Sequence, residues 1–569
     1  MQQHLSRLAR LFPGALLLLL LAYGNALAQK PLRDTAGKIP INIVNTKDFE
    51  AHQTDSGTVN KFIGDVQFKH GTDLLFCDSA YLNQEKNNIE AFGNVRILQD
   101  NGTEVLSDYL RYTGNTRKAY LKGDVSLTNG KDNLWTEELD YDLGTKIGNY
   151  YNNGTLQSGS TTVSSVTGMY NARLKESRFI QDVYVTDTQY NIESRDLGYN
   201  TETKIMRFFD STVVYNSNSI LRTSRGTYDS KYEIAHFTSH SSILNKEHYI
   251  EGDSLDYDRP KGLGKAVGNV IIIDTVQHGT LYCGRAFYND RMRTVMAVDK
   301  PVLKRVQDKD SIYIRADTFF SAHSKWLTAN DTSASSKGRT KTAAPAAKTG
   351  KKKKTQVANP NAELPVLVLQ ADAPMPDTTS PKYYNGYHHV RIFSDSLQGK
   401  CDSILITMSD SVMKMMKDPV MWARKSQVSG DTIIAYLDSG KVRQVFLPNN
   451  AFMASQTGPD QAQLFNQVQG KTITANMKNN ALSDAIVKPN AEAIYFPTDN
   501  SEAYIGADEA QSDKMKAFFK DGKIDRILME QQVRQTLTPL EQADLPGLRL
   551  SRFKWLENLR PKSIHELFE

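Results

Sequence analysis

The residues of this sequence that could carry out chemistry are three cysteines, two adjacent histidines and a set of recurring aspartates. Cys77 and Cys401 each precede an Asp, and Cys283 precedes a Gly, in similar stretches of sequence. A position reused in this way predicts a small buried side chain rather than a nucleophile or a metal ligand. Three cysteines are also too few for a disulfide scaffold.

The histidines and aspartates do not form a motif for metal binding or catalysis. His388 and His389 stand at the start of a predicted strand, with no third ligand at a metal-binding spacing. Once-per-repeat recurrence favours a role in turns or strand edges for four aspartates. These are Asp78, Asp108, Asp196 and Asp253.

Two short glycine motifs also lack what nucleotide-binding loops require. Gly470-Lys471-Thr472 has Phe465 where the first glycine of a phosphate-binding loop should stand, and a strand is predicted to follow it. Gly262-Leu263-Gly264 lacks the third glycine of a dinucleotide fingerprint. The sequence contains neither H-E-x-x-H nor G-x-S-x-G. We therefore expect no enzyme, no metal site and no cofactor.

Composition and charge narrow the class of protein further. The 569 residues have a mean hydropathy of -0.49, which excludes a polytopic membrane protein. The net charge of +5 comes from the N-terminal segment and from residues 330–381, which contain eight basic and four acidic residues. The rest of the chain is near neutral, so we expect no nucleic-acid partner.

Five segments are predicted along the chain. Residues 1–28 read as a signal peptide because Arg7 and Arg10 precede an apolar stretch and an Ala26-Leu27-Ala28 cleavage site. No Cys follows that stretch, so no lipid anchor is expected. The other segments are a first repeat region at 29–328, a disordered basic linker at 329–384, a second repeat region at 385–534 and a basic, aromatic tail at 535–569.

A short G-D/N-V cluster recurs every 27 to 31 residues. Clear copies begin at Gly64, Gly93, Gly123 and Gly268, and weaker ones lie between 150 and 245. Apolar residues alternate with polar ones around each cluster, and Asn- or Gly-rich turns separate the segments. The pattern predicts an all-β, elongated jelly roll or sandwich of antiparallel strands, built from two-strand repeats.

This array resembles the OstA/LptA-like family, the periplasmic β-jelly-roll proteins of lipopolysaccharide transport. The likeness is carried by Phe62–Phe68 (FIGDVQF), Ala91–Leu98 (AFGNVRIL), Ser107–Leu127 and Gly252–Ile273. The resemblance implies a non-enzymatic periplasmic protein, with outer-membrane association, that holds the acyl chains of lipid A in an interior groove. Its implied partners are lipopolysaccharide and other transport components, joined by end-to-end strand pairing.

The groove is expected on the apolar face of the strands, because each exposed lipid methylene costs roughly 0.8 kcal/mol in water. The predicted groove residues are the apolar members of the alternating pattern, which all lie on the same face of the strands. They are Ile89, Ala91, Val95, Ile97, Ala119, Leu121, Val125, Leu127, Phe179, Val183, Val185, Ala266, Val270, Ile272, Val295 and Ala297.

Two other functions remain open from the sequence. Alternating apolar residues also fit a filled sandwich core, as in a structural surface repeat protein. A parallel β-helix enzyme acting on polysaccharide also repeats with short strands. Strand edges for pairing are expected at Asn42–Asn45 with Val59–Phe68, and at Met515–Met529.

Overall fold

The structure, a computed structural model, describes residues 39–54, 57–276, 279–307, 310–323, 380–438, 441–478, 481–499, 501–520 and 523–569. The predicted signal peptide and most of the predicted linker lie outside this range. The described chain is almost entirely antiparallel β-strand, which confirms the predicted all-β class. It divides into two compact units, one ending at Asn152 and one beginning at Asn153, and the repeat spacing does not predict that boundary.

The N-terminal unit contains nine described strands. They are β1 (Asn42–Asn45), β2 (Asp48–Thr54), β3 (Gly57–His70), β4 (Asp73–Asn83), β5 (Asn88–Leu98), β6 (Glu104–Thr113), β7 (Lys118–Asn129), β8 (Asp132–Asp142) and β9 (Ile147–Tyr150).

The C-terminal unit contains the remaining strands. Before residue 324 they are β10 (Gly154–Ser158), β11 (Thr161–Ser165), β12 (Thr167–Asn171), β13 (Glu176–Thr186), β14 (Asn191–Asn200), β15 (Ile205–Phe208), β16 (Thr212–Tyr215), β17 (Ser219–Thr223), β18 (Gly226–Asp229), β19 (Ile234–Phe237), β20 (Ser241–Asn245), β21 (His248–Gly252), β22 (Ser254–Asp258), β23 (Leu263–Asp274), β24 (Gly279–Asn289), β25 (Thr294–Val298), β26 (Val302–Gln307), β27 (Asp310–Arg315) and β28 (Thr318–His323).

After residue 379 they are β29 (Lys382–Phe393), β30 (Gln398–Thr407), β31 (Val412–Met416), β32 (Val420–Ala423), β33 (Ser426–Ser429), β34 (Thr432–Asp438), β35 (Lys441–Leu447), β36 (Ala451–Thr457), β37 (Leu464–Gly470), β38 (Thr472–Lys478), β39 (Ala481–Lys488), β40 (Ala491–Tyr495), β41 (Gly506–Ser512), β42 (Lys514–Lys520), β43 (Lys523–Glu530) and β44 (Arg534–Pro539). One α-helix, α1, spans His565–Phe568, and short 3-10 turns lie at Asp460–Ala462, Leu540–Gln542 and Glu557–Leu559. No helix among the described residues has the length and apolar character to cross a membrane.

Each G-D/N-V cluster is a β-bulge at which a long strand bends. Gly123 and Asp124 have φ angles of 81° and 42°, and the register between β7 and β8 shifts between Lys122 and Val125. The same shift occurs at Gly64, Gly93 and Gly268. Two consecutive residues with positive φ favour Gly followed by Asn or Asp, and this explains the recurring motif.

The bend divides the long strands between two layers. In the N-terminal unit, layer A holds the halves of β4 to β8 around Ala91, Leu121 and Leu139. Layer B holds the other halves, around Val95 and Val125. The layers face each other, since the buried rings of Phe62 and Phe68, from opposite sides of one bulge, meet with centroids 5.4 Å apart.

The C-terminal unit repeats this arrangement, including copies without glycine. Gln181-Asp182 and His388-His389 adopt positive φ at the bend although neither pair contains a glycine. The missing glycine explains why the motif is hard to recognise in these copies. Layer A of this unit continues through β25, β28, the first half of β29, β31, β34, β35, β38, β39, β42 and β43. Layer B continues through β26, β27, the second half of β29, β32, β33, β36, β37, β40, β41 and β44. Strands on both sides of residues 324–379 therefore share the same two layers.

We expect Gly123→Ala to destabilise the N-terminal unit by about 3 kcal/mol, because an added Cβ would combine positive φ with a steric clash. That Cβ would stand 2.6 Å from Asp108 Oδ2. Gly102→Ala is the control: its φ is 79°, but no atom lies within 4 Å of the added Cβ. The control should lose only about 1 kcal/mol. Urea unfolding followed by Trp fluorescence measures both, and equal losses would contradict the role given to the bend.

Candidate functional site

The three cysteines occupy one structural position. Cys77, Cys283 and Cys401 each pair with the Val that follows a bulge, and all three are buried. Burial raises the pKa of each thiol to about 12. They are therefore protonated, unreactive core residues.

The recurring aspartates support the bends. Asn94 Nδ2 donates to Asp78 Oδ2 over 2.8 Å, and Asn269 Nδ2 donates to Asp253 Oδ2 over the same distance. His388 makes the equivalent contact with Asp402, with 3.1 Å between Nδ1 and Oδ1. Over the described ranges, no three or more His, Cys, Asp and Glu side chains are grouped to hold a metal ion.

Fifteen of the sixteen predicted groove residues lie buried between the layers, and Val295 is half-buried. The voids beside four of them are small. Ile89 and Ile97 border a void of about 10 Å³, and Ile272 and Val295 border one of about 40 Å³. The smaller void is about the size of one water molecule, so the neighbouring side chains fill the interior there. The lipid role of these sixteen residues stays a prediction.

In the N-terminal unit, polar side chains join the two layers at the strand ends that lie opposite the bend. Asp73 of layer B forms an ion pair with Arg117 of layer A. The Tyr141 hydroxyl of layer A donates to Gln99 Oε1 at the edge of layer B over 2.5 Å. We call such contacts clasps, and they close the edge opposite the bend.

The C-terminal unit has a buried ionic clasp. Lys382 Nζ, on the layer A half of β29, donates to Asp274 Oδ2 of layer B over 2.7 Å and lies 2.9 Å from His248 Nε2. The side chains of Lys382 and Asp274 are only 10% and 8% exposed. Arg293 and Glu247 make a second contact between the same edges at 3.7 Å. A charged pair buried this deeply needs both members, since removing one leaves an uncompensated charge.

This clasp should make stability depend on pH. Burial, followed by the nearby Lys382 ammonium, lowers the pKa of His248 to about 4. The unfolded chain binds this proton near the ordinary His pKa of about 6.5, so stability falls as pH drops from about 6.5 to 4. We expect a loss of about 2 to 3 kcal/mol from this group. His248→Gln should reduce the slope of melting temperature against pH in this window, and an unchanged slope would contradict the assignment.

A large cavity of about 1490 Å³ lies between the two layers of the C-terminal unit, lined by residues from Arg305 onward. It exceeds the roughly 300 to 1,000 Å³ of typical small-molecule pockets. Its lining is mostly apolar, with contributions from both layers and none from the sixteen predicted residues. Layer B contributes Met421, Val428, Met453, Val468 and Ala493, and layer A contributes Val445, Ala475, Ala485, Ala517 and Ile527.

Small side chains account for the open space. Ala475, Ala485 and Ala517 pair across three neighbouring strands, β38, β39 and β42. The corresponding stretch of the N-terminal unit has a row of leucines across β6, β7 and β8, namely Leu110, Leu121 and Leu139. An alanine row leaves volume that a leucine row occupies.

Three hairpins of layer A form the rim of the cavity. Each has a bulge near its tip, followed by an inward apolar pair that is half-buried and lines the cavity. The pairs are Leu437 with Val442, Met477 with Leu482 and Phe519 with Ile524. These six residues form what we call the apolar rim.

The sequence did not predict the cavity, although the three hairpins that form its rim align with one another residue by residue. An alanine stands at the same place in each aligned copy, as Ala435, Ala475 and Ala517. The apolar rim also occupies matching places. The repeated alanine was therefore the feature of the sequence that could have indicated open space between the layers.

The C-terminal tail covers the outer face of layer B. Its first residues belong to β44, and the Phe553 and Trp555 rings contact Phe465 with centroids 5.2 and 4.9 Å apart. Buried glutamines bind its backbone: Gln427 Nε2 donates to the Lys554 carbonyl over 2.7 Å, and Gln467 Nε2 to the Leu548 carbonyl over 3.0 Å. We call residues 540–569 the strap.

Comparisons with known proteins agree with the resemblance carried by the repeats. Residues 38–195 match the family described as OstA-like protein. One matching solved structure is LptH, described as the LptA homologous periplasmic component of the conserved lipopolysaccharide transport device from Pseudomonas aeruginosa. It is 16% identical, covers 30% of this chain and 80% of its own, and has a TM-score of 0.09. No curated protein matches. The chain therefore carries an OstA-like domain at residues 38–195, in agreement with the resemblance to the OstA/LptA-like family.

Proposed function

We propose that this protein binds lipopolysaccharide in the periplasm, without catalysis, and transfers it during outer-membrane assembly. The acyl chains of lipid A would occupy the cavity between the layers of the C-terminal unit. The observation that carries this proposal is the cavity itself, about 1490 Å³ with a mostly apolar lining. The OstA-like match supports lipopolysaccharide as the ligand.

The chemistry of the lining suits acyl chains. Several methionines, among them Met421, Met453 and Met477, supply flexible and polarisable contacts that adapt to chains of different conformation. Burying each methylene contributes about 0.8 kcal/mol. The half-buried apolar rim provides a path along which a chain can enter from one side.

The structure favours this function over the two alternatives left open by the sequence. The described strand pairings are antiparallel, which excludes a parallel β-helix enzyme. A structural repeat protein with a filled core would have no need of the C-terminal cavity. The N-terminal unit, with its filled interior, would then have a structural role.

Transfer would use strand edges, and the structure corrects which edges are available. Val59–Phe68 is not an edge, because β3 pairs with β4 on one side and with β1 and β2 on the other. Of the predicted edge Met515–Met529, only the part on β43 is an edge, because β42 pairs with both β39 and β43. Among the described pairings, β1, β2, β43 and β44 each have one neighbour. Three exposed apolar side chains, Val44 on β1, Leu528 on β43 and Leu537 on β44, suit pairing with a related component.

Ala485→Phe tests the cavity directly. The added ring would project into the space of the acyl chains, so we expect affinity for fluorescently labelled lipopolysaccharide to fall about 10- to 100-fold, as for the loss of two or three buried methylenes. The matched control is Ile486→Phe, one residue along the strand and on the opposite face. The control should bind within about twofold of the unmodified protein.

Fluorescence anisotropy at fixed ionic strength measures both affinities. Unchanged binding by Ala485→Phe would contradict the proposal, as would equal losses in the two variants. Lipid extraction of the unmodified protein, purified without detergent, should also yield lipid A.

A further inference from the structure

We propose that one end of the cavity is a phosphate subsite, formed by Arg424 and Arg560, that orients the ligand as an anionic amphiphile. This inference rests on the proposed function and deepens it. The alkyl chain would lie in the apolar part of the cavity, and a phosphate monoester would lie against the two guanidinium groups. No comparison assigns a ligand to these residues.

The arginines lie together although they are far apart in the chain. Arg424 follows β32 at the free edge of layer B, and Arg560 belongs to the strap. Arg560 Nη1 donates to the Arg424 carbonyl oxygen over 2.9 Å. Both residues line the cavity, together with the turn between β29 and β30 that contains Ser394 and Ser396.

Arg560 donates its shortest hydrogen bonds to neutral acceptors, which fix the guanidinium in place. Its Nε and Nη2 both donate to Gln398 Oε1, over 2.8 and 2.6 Å. Its acidic neighbour is Glu557, with 3.4 Å between Nη1 and Oε1 and a side chain 42% exposed. Among the described residues, no acid is paired with the Arg424 side chain. These contacts use four of the five N–H groups of Arg560, so among the described residues one Nη2–H is left to donate to a phosphate oxygen. The charge of both guanidinium groups adds to that attraction.

The balance of charge around the cavity favours an anion at this end. Arg305 also lines the cavity, on β26, across the Ser394 turn from Arg424. The acids in the lining are Asp395, an exposed residue of that turn, and Glu502. Like charges close to a low-dielectric cavity repel each other, and a bound phosphate would relieve that repulsion.

The strap therefore has a role beyond covering layer B. It delivers Arg560 to the cavity, and Gln398 of layer B fixes the guanidinium at that position. The subsite is complete only when residues 540–569 are seated. The chain thus combines a β-strand cavity with a cation supplied from its own C-terminus.

Two amphiphiles with the same alkyl chain test the proposal with the full-length mature protein. Dodecyl phosphate and dodecyl maltoside would each displace a neutral fluorescent probe, N-phenylnaphthylamine, from the cavity. We expect the unmodified protein to bind the phosphate about tenfold more tightly. The double variant Arg424→Gln/Arg560→Gln should lose that preference while binding dodecyl maltoside within about twofold of the unmodified protein.

Arg526→Gln is the control, because Arg526 stacks on Phe518 outside the cavity lining. It should keep the tenfold preference. A double variant that keeps the preference would overturn the subsite, and so would equal losses for both amphiphiles. Displacement by inorganic phosphate without dependence on an alkyl chain would overturn the amphiphile assignment. If neither amphiphile binds the unmodified protein, the proposed cavity function itself fails.

Discussion

Two consecutive residues with positive φ are the constraint on which this architecture depends. Because Gly123 and Asp124 both adopt that conformation, β7 bends and contributes to two facing layers instead of one flat sheet. The supporting aspartate of the neighbouring strand lies directly beside each glycine at three of these bends. Repetition of the bend creates an interior that side-chain size can either fill or leave open.

The same bent strands therefore produce two kinds of interior. Large side chains and polar clasps close the space where Leu121 or the Lys382–Asp274 pair lies. In the C-terminal hairpins, Ala475 and Ala485 leave room, and the apolar rim lines the opening. The same arrangement of bent strands is thus filled in one region and open in another.

Much of the fold was predictable from the sequence because the bend requires particular residues. Gly followed by Asn or Asp signals positive φ, and alternation signals half-buried strands, so strand pairs and the buried Cys77 position follow directly. The cavity was not predictable from alternation, because Ala485 and Leu121 satisfy the same pattern and differ only in volume. The clasps and the strap join residues far apart in sequence, such as Asp274 with Lys382 or Gln427 with Lys554, and local patterns do not contain those pairings.

The central claim is that the space between the layers of the C-terminal unit holds acyl chains. Site-specific photocrosslinking tests it most directly, with benzoylphenylalanine placed at Met477, which faces the cavity, or at Asn476, which faces outward and bonds Asp484. After incubation with lipopolysaccharide and irradiation, a lipopolysaccharide adduct should form at position 477 and be nearly absent at position 476. Equal adducts at the two positions, or none at 477, would contradict the account.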